Sequence, residues 1–175
     1  MLDQHPATRA GLDAILRATE GVDPVGTAAD RRELWPLLEQ TDPDVVVIDD
    51  LRLALAVRTR FPLANVIVHT AGASEDMIAP AAFAGASALV DKACSVEELV
   101  AAIRGERLLK PISPRMLRRA ATPLDGPDRA ILAMRLAGTP DREIAKIVGI
   151  SHEVLAARSA AIVSRLATSL EPVSA

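Results

Sequence analysis

The stretch Thr41-Asp42-Pro43-Asp44-Val45-Val46-Val47-Ile48-Asp49-Asp50 decides the fold of this chain. Four consecutive β-branched apolar residues read as a strand buried on both faces. An acidic pair closes it at the C-terminal end. In open parallel α/β sheets that edge is where ligands and chemistry collect. A carboxylate there is a phosphate acceptor, a metal ligand or a helix cap, and the strand alone leaves the three readings open.

Working outward, two further short runs share this character, at 65–69 (Asn-Val-Ile-Val-His) and 87–90 (Ser-Ala-Leu-Val), with a weaker one near Val22–Ala28. Helical patterns lie between them, at about 6–19, 30–40, 51–60, 74–84 and 95–104. Pro6 suits a first helical turn. Asp30 with Glu33 reads as a capping box, and Ser74 and Ser95 read as caps followed by acidic first turns. Strand–helix alternation predicts right-handed βαβ units and a parallel sheet. The sequence at 105–123 then changes character, with Gly105, Pro111, Pro114, Pro123 and the basic run Arg115–Arg119. It reads as a linker with a short helix at 114–121. Three helices follow, at about 125–137, 140–148 and 151–166, and the residues from 169 to 175 read as a flexible tail. Gly138 and Gly149 stop the first two helices. The neck Val148-Gly149-Ile150-Ser151 has the length of a helix-turn-helix turn.

Composition sets the limits. The 175 residues are half apolar but 2% aromatic, so Ala, Val, Leu and Ile must fill the core. The single Cys94 excludes an internal disulfide framework and fits a reducing cytosol. No apolar run reaches membrane-spanning length, and the N-terminus lacks the pattern of a secretory signal. Residues 1–103 hold 8 basic and 16 acidic side chains, net −8. Residues 104–120 hold 6 and 1, net +5, and residues 121–175 hold 6 of each. Two modules with a basic joint follow from this distribution.

Across nearly its whole length the chain resembles the LuxR-type (NarL/FixJ-like) two-domain response regulators. Asp3-Gln4-His5-Pro6 with Arg9-Ala10-Gly11-Leu12 is similar to the end of their first receiver strand. Pro43 through Asp49 is similar to the phosphoacceptor strand, Val66 through Ala71 to the fourth strand with its switch hydroxyl, and Gly85 through Lys92 to the segment ending in the receiver lysine. Gly105 through Leu109 resembles the start of the linker. Leu124 through Leu166 resembles the helix-turn-helix, including Arg142-Glu143-Ile144-Ala145 and Val148-Gly149-Ile150-Ser151. The resemblance implies an α/β receiver with a flavodoxin-like parallel sheet over 1–104, a linker over 105–123 and an all-α DNA-binding unit over 124–168.

It implies a site as well: Asp49 as phosphoacceptor, Asp3 with Asp49 as ligands of Mg²⁺, and Thr70 and Lys92 as switch residues. It implies double-stranded DNA as partner, read as a homodimer because one such unit covers a half-site. A sensor histidine kinase is the implied upstream partner and the cytoplasm the implied location. Arg142, Lys146, Arg158 and Arg165 are the candidate DNA contacts, with His152 and Ser159 near the groove. Leu34 and Trp35, or the faces of helices 6–19 and 95–104, are candidate surfaces for self-association.

Several positions depart from the pattern. Gln4 stands where a second acid is expected, and an amide holds Mg²⁺ less well than a carboxylate. Only Met1 and Leu2 precede Asp3, so either the start lies further upstream or the first strand is truncated. The usual loop after the acceptor is missing, and Leu89 replaces an aromatic residue. These losses lean against phosphotransfer at Asp49 and against a working Mg²⁺ site. Ala156 and Arg158 replace the usual Lys and His of the recognition helix, and no fourth C-terminal helix is expected beyond Leu166. The alternative is a degenerate regulator that serves as a protein-interaction module without strong DNA binding, with the alanine run of the last helix as a packing face. Lys92 and Thr70 also admit plain structural readings, and Asp50 reads as a helix cap. No nucleophile–base pair or glycine-rich phosphate loop suggests an enzyme.

Overall fold

A computed structural model describes residues 1–170. Its elements run α1 (Pro6–Arg17), α2 (Arg31–Thr41), β1 (Val45–Ile48), α3 (Leu51–Arg60), β2 (Asn65–Thr70), a 3₁₀ turn (Glu75–Met77), α4 (Ile78–Phe83), β3 (Ala88–Asp91) and α5 (Val96–Ile103). Among the described residues only helices follow: α6 (Pro114–Ala121), α7 (Gly126–Leu136), α8 (Asp141–Val148) and α9 (His152–Leu170).

The three strands form a parallel sheet in the order β1-β2-β3, with Val45 opposite Asn65 and Ile67 opposite Ala88. Leu2 adds a single-residue parallel bridge to Ile48 on one side and to Ala28 on the other. Leu2 N–H donates to Val47 O at 2.8 Å, and Ala28 N–H donates to Met1 O at 2.8 Å. The sheet therefore keeps the outline of a flavodoxin-like order, with its two outer places shrunk to one residue each. The strand expected near Val22–Ala28 survives only as the bridge at Ala28. Its Pro24 has no amide proton to donate, and Gly26 adopts φ 158°, so no longer ladder forms.

Period-two alternation in β1 divides the core. Val46 and Ile48 face Leu34, Leu38, Leu53 and Phe83 on the α2–α4 side, whereas Val47 faces Leu99 and Ala102 on the α5 side. Leu34 is fully buried in the first of these clusters, which removes it as a surface for self-association. Trp35 is partly buried beneath Arg60, whose guanidinium lies 5.6 Å from the ring centre.

The caps act largely as their residue types dictate. Asp30 accepts from the backbone N–H of Arg32 (2.7 Å) and Glu33 (3.1 Å), while Glu33 reaches back to Ala29 N–H (2.7 Å), one residue before the position a capping box would use. Ser95 accepts from Glu98 N–H at 3.4 Å. Ser74 precedes a 3₁₀ turn and makes no capping bond, so the segment expected as one helix over 74–84 divides at Met77.

The α2–α4 core continues without a break into the C-terminal helices. Met116, Ala120, Leu124, Ile131, Ile144, Leu155, Ile162 and Leu166 belong to the same cluster as Val46 and Phe83. Helix α9 packs on α3 and α4, and α6 and α7 pack on α4. Polar contacts cross the same boundary. Arg135 lies over Phe83 at 5.0 Å, Arg119 pairs with Asp76 at 3.0 Å, and Arg52 donates to Thr168 Oγ1 at 3.2 Å. The segment read as a linker is thus anchored in part, because Met116 and Ala120 turn one side of α6 inward. Ser169 and Leu170 belong to α9 rather than to a tail, and residues 171–175 lie outside the described region. Among the described residues no single helix is long and apolar enough to cross a membrane.

Candidate functional site

The C-terminal edge of the sheet gathers Asp3, Asp49, Thr70, Asp91 and Lys92. Because the strands are parallel, their ends meet on one side, and each contributes its last residue or the next one. Asp3 follows the bridging Leu2 and is 1% exposed. Its Oδ1 accepts from His5 N–H at 2.8 Å and lies 3.1 Å from His5 Nδ1. Arg9 donates to the Asp3 carbonyl at 2.7 Å. Lys92 reaches across from the end of β3, with Nζ 2.6 Å from Asp3 Oδ2 and 3.5 Å from Asp49 Oδ2. The approach to Asp3 Oδ2 is an ion pair rather than an aligned hydrogen bond, and among the described residues no other donor reaches that oxygen.

Burial pushes the Asp3 carboxyl up, but Lys92 and the donors of His5 outweigh it and hold Asp3 below the ordinary carboxylate value. His69, buried in β2, is held below the ordinary imidazole value by burial and then by the Lys92 charge, against Asp3, Asp91 and Asp49. Asp91 serves the backbone: its carboxylate accepts from Ala93 N–H at 2.8 Å and from Ala73 N–H at 2.6 Å. It thereby ties the loop after Thr70 to the end of β3. Asp50 caps α3 by accepting from Arg52 N–H at 2.8 Å, as its position suggested.

Above Asp49 opens a cavity of about 810 Å³. Gln4, Asp49 and Thr70 line it on the sheet side. Leu53 of α3 contributes apolar wall, and Ala167 and Leu170 of α9 close the far side. With only Asp49 and Asp50 between β1 and α3, no loop of the described residues occupies this space, and the last turn of α9 borders it instead.

The described residues most able to hold a cation are Asp3, His5 and Asp49, whose ligand atoms all lie within 4.8 Å of one another. The side chain two positions from the buried acid is thus an imidazole, and the intervening Gln4 is exposed.

Residues 1–104 match the family model described as response regulator receiver domain. The chain belongs to the response regulator receiver family. It is 25% identical over 167 residues to the transcriptional regulatory protein MctR of Rhizobium johnstonii, covering 86% of this chain and 78% of that protein. The uncharacterized transcriptional regulatory protein YhcZ of Bacillus subtilis is 31% identical over 105 residues, 56% of this chain and 49% of that protein. Among solved structures, the two-component response regulator RcsB–DNA complex superposes with a TM-score of 0.56 at 21% identity, covering 94% of this chain and 89% of that one. RcsB from Salmonella enterica serovar Typhimurium bound to promoter rprA gives 0.55 at 19%, covering 98% and 92%. These likenesses establish a two-part fold of receiver followed by helical unit.

In the helical unit of this response regulator, α8 and α9 meet at 99° across Gly149, which adopts φ 73°. That angle and a left-handed glycine are what a helix-turn-helix requires. Ser151 caps α9 by accepting from Val154 N–H at 3.2 Å. Arg142, Lys146 and His152 are exposed. The other three candidate contacts are placed differently. Arg158 Nε lies 3.1 Å from Asp128 Oδ1, and Arg165 donates to Asp128 Oδ2. Asp128 is 1% exposed, and Ser159 is buried with its hydroxyl unpartnered. Arg158 and Arg165 therefore fasten α9 to α7, and Ser159 does not reach the surface.

The outward face of α9 carries Glu153, Val154, Ala157, Ala160 and Ala161. Asp128 lies three residues after the Asp125 cap, which accepts from its backbone N–H at 3.0 Å. Its inward role was detectable, since Ile131 and Leu132 lie three and four residues on and belong to the core.

Proposed function

We propose that this chain is a DNA-binding transcriptional regulator of the response-regulator type whose receiver works without phosphorylation. The observation that carries the reading is the ordered helix-turn-helix of α8 and α9 held on a receiver fold. Relatives named as transcriptional regulators support it. Arg142, Lys146 and His152 are the contacts proposed for the phosphate backbone, because their side chains are exposed on α8 and at the start of α9. Arg158 and Arg165 contribute indirectly, by fixing the pose of α9. Asp49 keeps the acceptor position, but Gln4 and the missing loop leave it without the surroundings that phosphotransfer needs. Thr70 and Lys92 act as structural members of the same edge. The proposal includes a homodimer on DNA, a cytoplasmic location and no enzymatic activity. A sensor kinase has a role only if Asp49 is modified.

A second reading has its own observation. Ile147 is 61% exposed and Val154 is 46% exposed beside the alanines of α9, so the surface that would meet DNA is largely apolar. That favours a protein-interaction module. A binding titration over salt separates the two. Two lysine or arginine contacts per unit predict a log–log slope of about −2 for a monomer and about −4 for a dimer. Arg142→Ala with Lys146→Ala should abolish binding. Affinity that is indifferent to both substitutions would refute the DNA reading.

A further inference from the structure

Receivers imply a divalent cation at the acceptor site, and the residues present fit Mg²⁺ poorly. Mg²⁺ demands near-octahedral oxygen ligands at about 2.0–2.1 Å. The carboxylates at this edge within reach of one ion are Asp3 and Asp49, because Asp91 is engaged by the Ala73 and Ala93 N–H groups and Asp50 caps α3, and the neighbouring position offers Gln4, an exposed amide. Asp3 Oδ1 is already taken by His5, through both its backbone N–H and Nδ1. Asp3 Oδ2 faces Asp49 Oδ2, and the Lys92 ammonium lies between them at 2.6 and 3.5 Å. An ion bridging those two oxygens would need the same space.

We propose that Lys92 is the resident cation of this acceptor site, its ammonium filling the bridge between Asp3 and Asp49 so that the site is complete without Mg²⁺. Charge supports the assignment. Arg31 and Arg52 line the cavity, but so do Asp30 and Asp50, and the two pairs offset each other. At the sheet edge Asp91 is turned to the Ala73 and Ala93 N–H groups and Arg9 to the Asp3 carbonyl, so the side chains in mutual contact are Asp3, Asp49 and Lys92. Two carboxylates share one ammonium, where a third carboxylate at position 4 would leave a deficit that calls for a divalent ion. Position supports it too. Lys92 is held by its own backbone, whose N–H donates to Thr70 O at 2.9 Å, and its side chain is only 18% exposed. The ammonium is thus delivered from a fixed strand end and not from a mobile surface. The inference rests on the receiver edge alone and is independent of whether the helical unit reads DNA.

Thermal unfolding of the full chain with MgCl₂ titrated against NaCl of equal ionic strength tests it, because an ion that binds only the folded state must raise the midpoint. The wild type should show no Mg²⁺-specific shift up to about 20 mM, a concentration that would saturate a site of millimolar affinity. Lys92→Met should unfold at a lower temperature in chelator and recover part of the loss when Mg²⁺ is added. Gln4→Asp, at an exposed position that does not threaten folding, should acquire a Mg²⁺-dependent rise by tilting the balance toward the divalent ion. Mn²⁺ should then broaden the amide signals of Asp3 and Asp49 in Gln4→Asp and leave them sharp in the wild type. A wild type stabilised by Mg²⁺ as much as Gln4→Asp would overturn the proposal. So would a folded Lys92→Met that ignores Mg²⁺. If Lys92→Met fails to fold, Gln4→Asp decides alone, and a variant as blind to Mg²⁺ as the wild type overturns the assignment.

Discussion

Replacing Asp128 by Ala should weaken the protein and strengthen its nonspecific attraction to DNA. Asp128 is the third residue of α7 and is buried, and it engages two arginines of α9. Each charge-assisted contact is worth about 1.5–3 kcal/mol when dry. The Arg158 and Arg165 side chains are 34% and 42% exposed, so water recovers roughly half of that when the partner is lost. A carboxylate in a first helical turn adds about 0.5 kcal/mol. The sum is about 2–4 kcal/mol. For a chain of this size that is a fall in Tm of roughly 4–16 °C, at about 2–4 °C per kcal/mol. Circular dichroism at 222 nm reads it directly. Freed from Asp128, both guanidinium groups become available to phosphates, so the log–log salt slope on a random duplex should steepen by up to about 2. Arg158→Ala should do the opposite on DNA, losing stability without any gain in slope. A Tm within about 1 °C of the wild type, or a slope that becomes shallower in Asp128→Ala, would show that the clamp is not what holds these arginines.

The remaining expectations concern pH and the joint between the two halves. His69 is held below its ordinary value of 6.5, so the unfolded chain binds the proton more readily than the folded one. Stability from this group is complete above about pH 6.5 and is lost as pH falls from there through the lower folded value. The urea midpoint should drop between about pH 7.5 and 5.5, and His69→Gln should flatten that slope. Asp3, also held low, contributes stability that is present above its ordinary value of 3.8 and vanishes on acidification through the folded value; Asp3→Asn removes that segment of the acid limb. Trp35 lies in α2 of the receiver, so its fluorescence reports that half while circular dichroism reads the helices of both. With one continuous core the two transitions should coincide. Ala167→Glu, which puts a charge where α9 borders the acceptor cavity, should separate them.

The strands and most helices were legible because buried β-branched runs and capping residues act locally. Val45–Ile48 needs nothing beyond its own composition to be read, and Asp50 caps the next helix as its type and position suggest. What escaped depends on partners distant in sequence. Arg158 and Arg165 look like free cations on a recognition helix until Asp128 is seen beneath them, thirty or more residues earlier. Lys92 reads as one half of a possible site, whereas its meaning comes from an ammonium placed against Asp3, eighty-nine positions away. Ser74 shows the converse limit. It is a proper capping residue, but the turn behind it is 3₁₀, and no bond forms.

The missing loop after Asp50 links the two halves physically. A helix separated from the strand by only Asp49 and Asp50 brings Leu51 and Leu53 to the sheet edge and exposes the outer side of α3 to whatever packs there. Helix α9 takes that place. Its end, from Leu166 to Leu170, extends past the length expected of a recognition helix because Leu166 and Ala167 are buried there. The cavity above Asp49 is bordered by Ala167 and Leu170 for the same reason. A group attached to Asp49 would enter the cavity bordered by the end of the helix that carries Val154 and Ala157, with no loop of the described residues between them. Such a short path suits a fixed scaffold better than a reversible switch. A group on Asp49 would fill part of the cavity of about 810 Å³ and leave the buried apolar contacts of α9 in place. With Lys92 already bridging the carboxylates, the edge is held without phosphate.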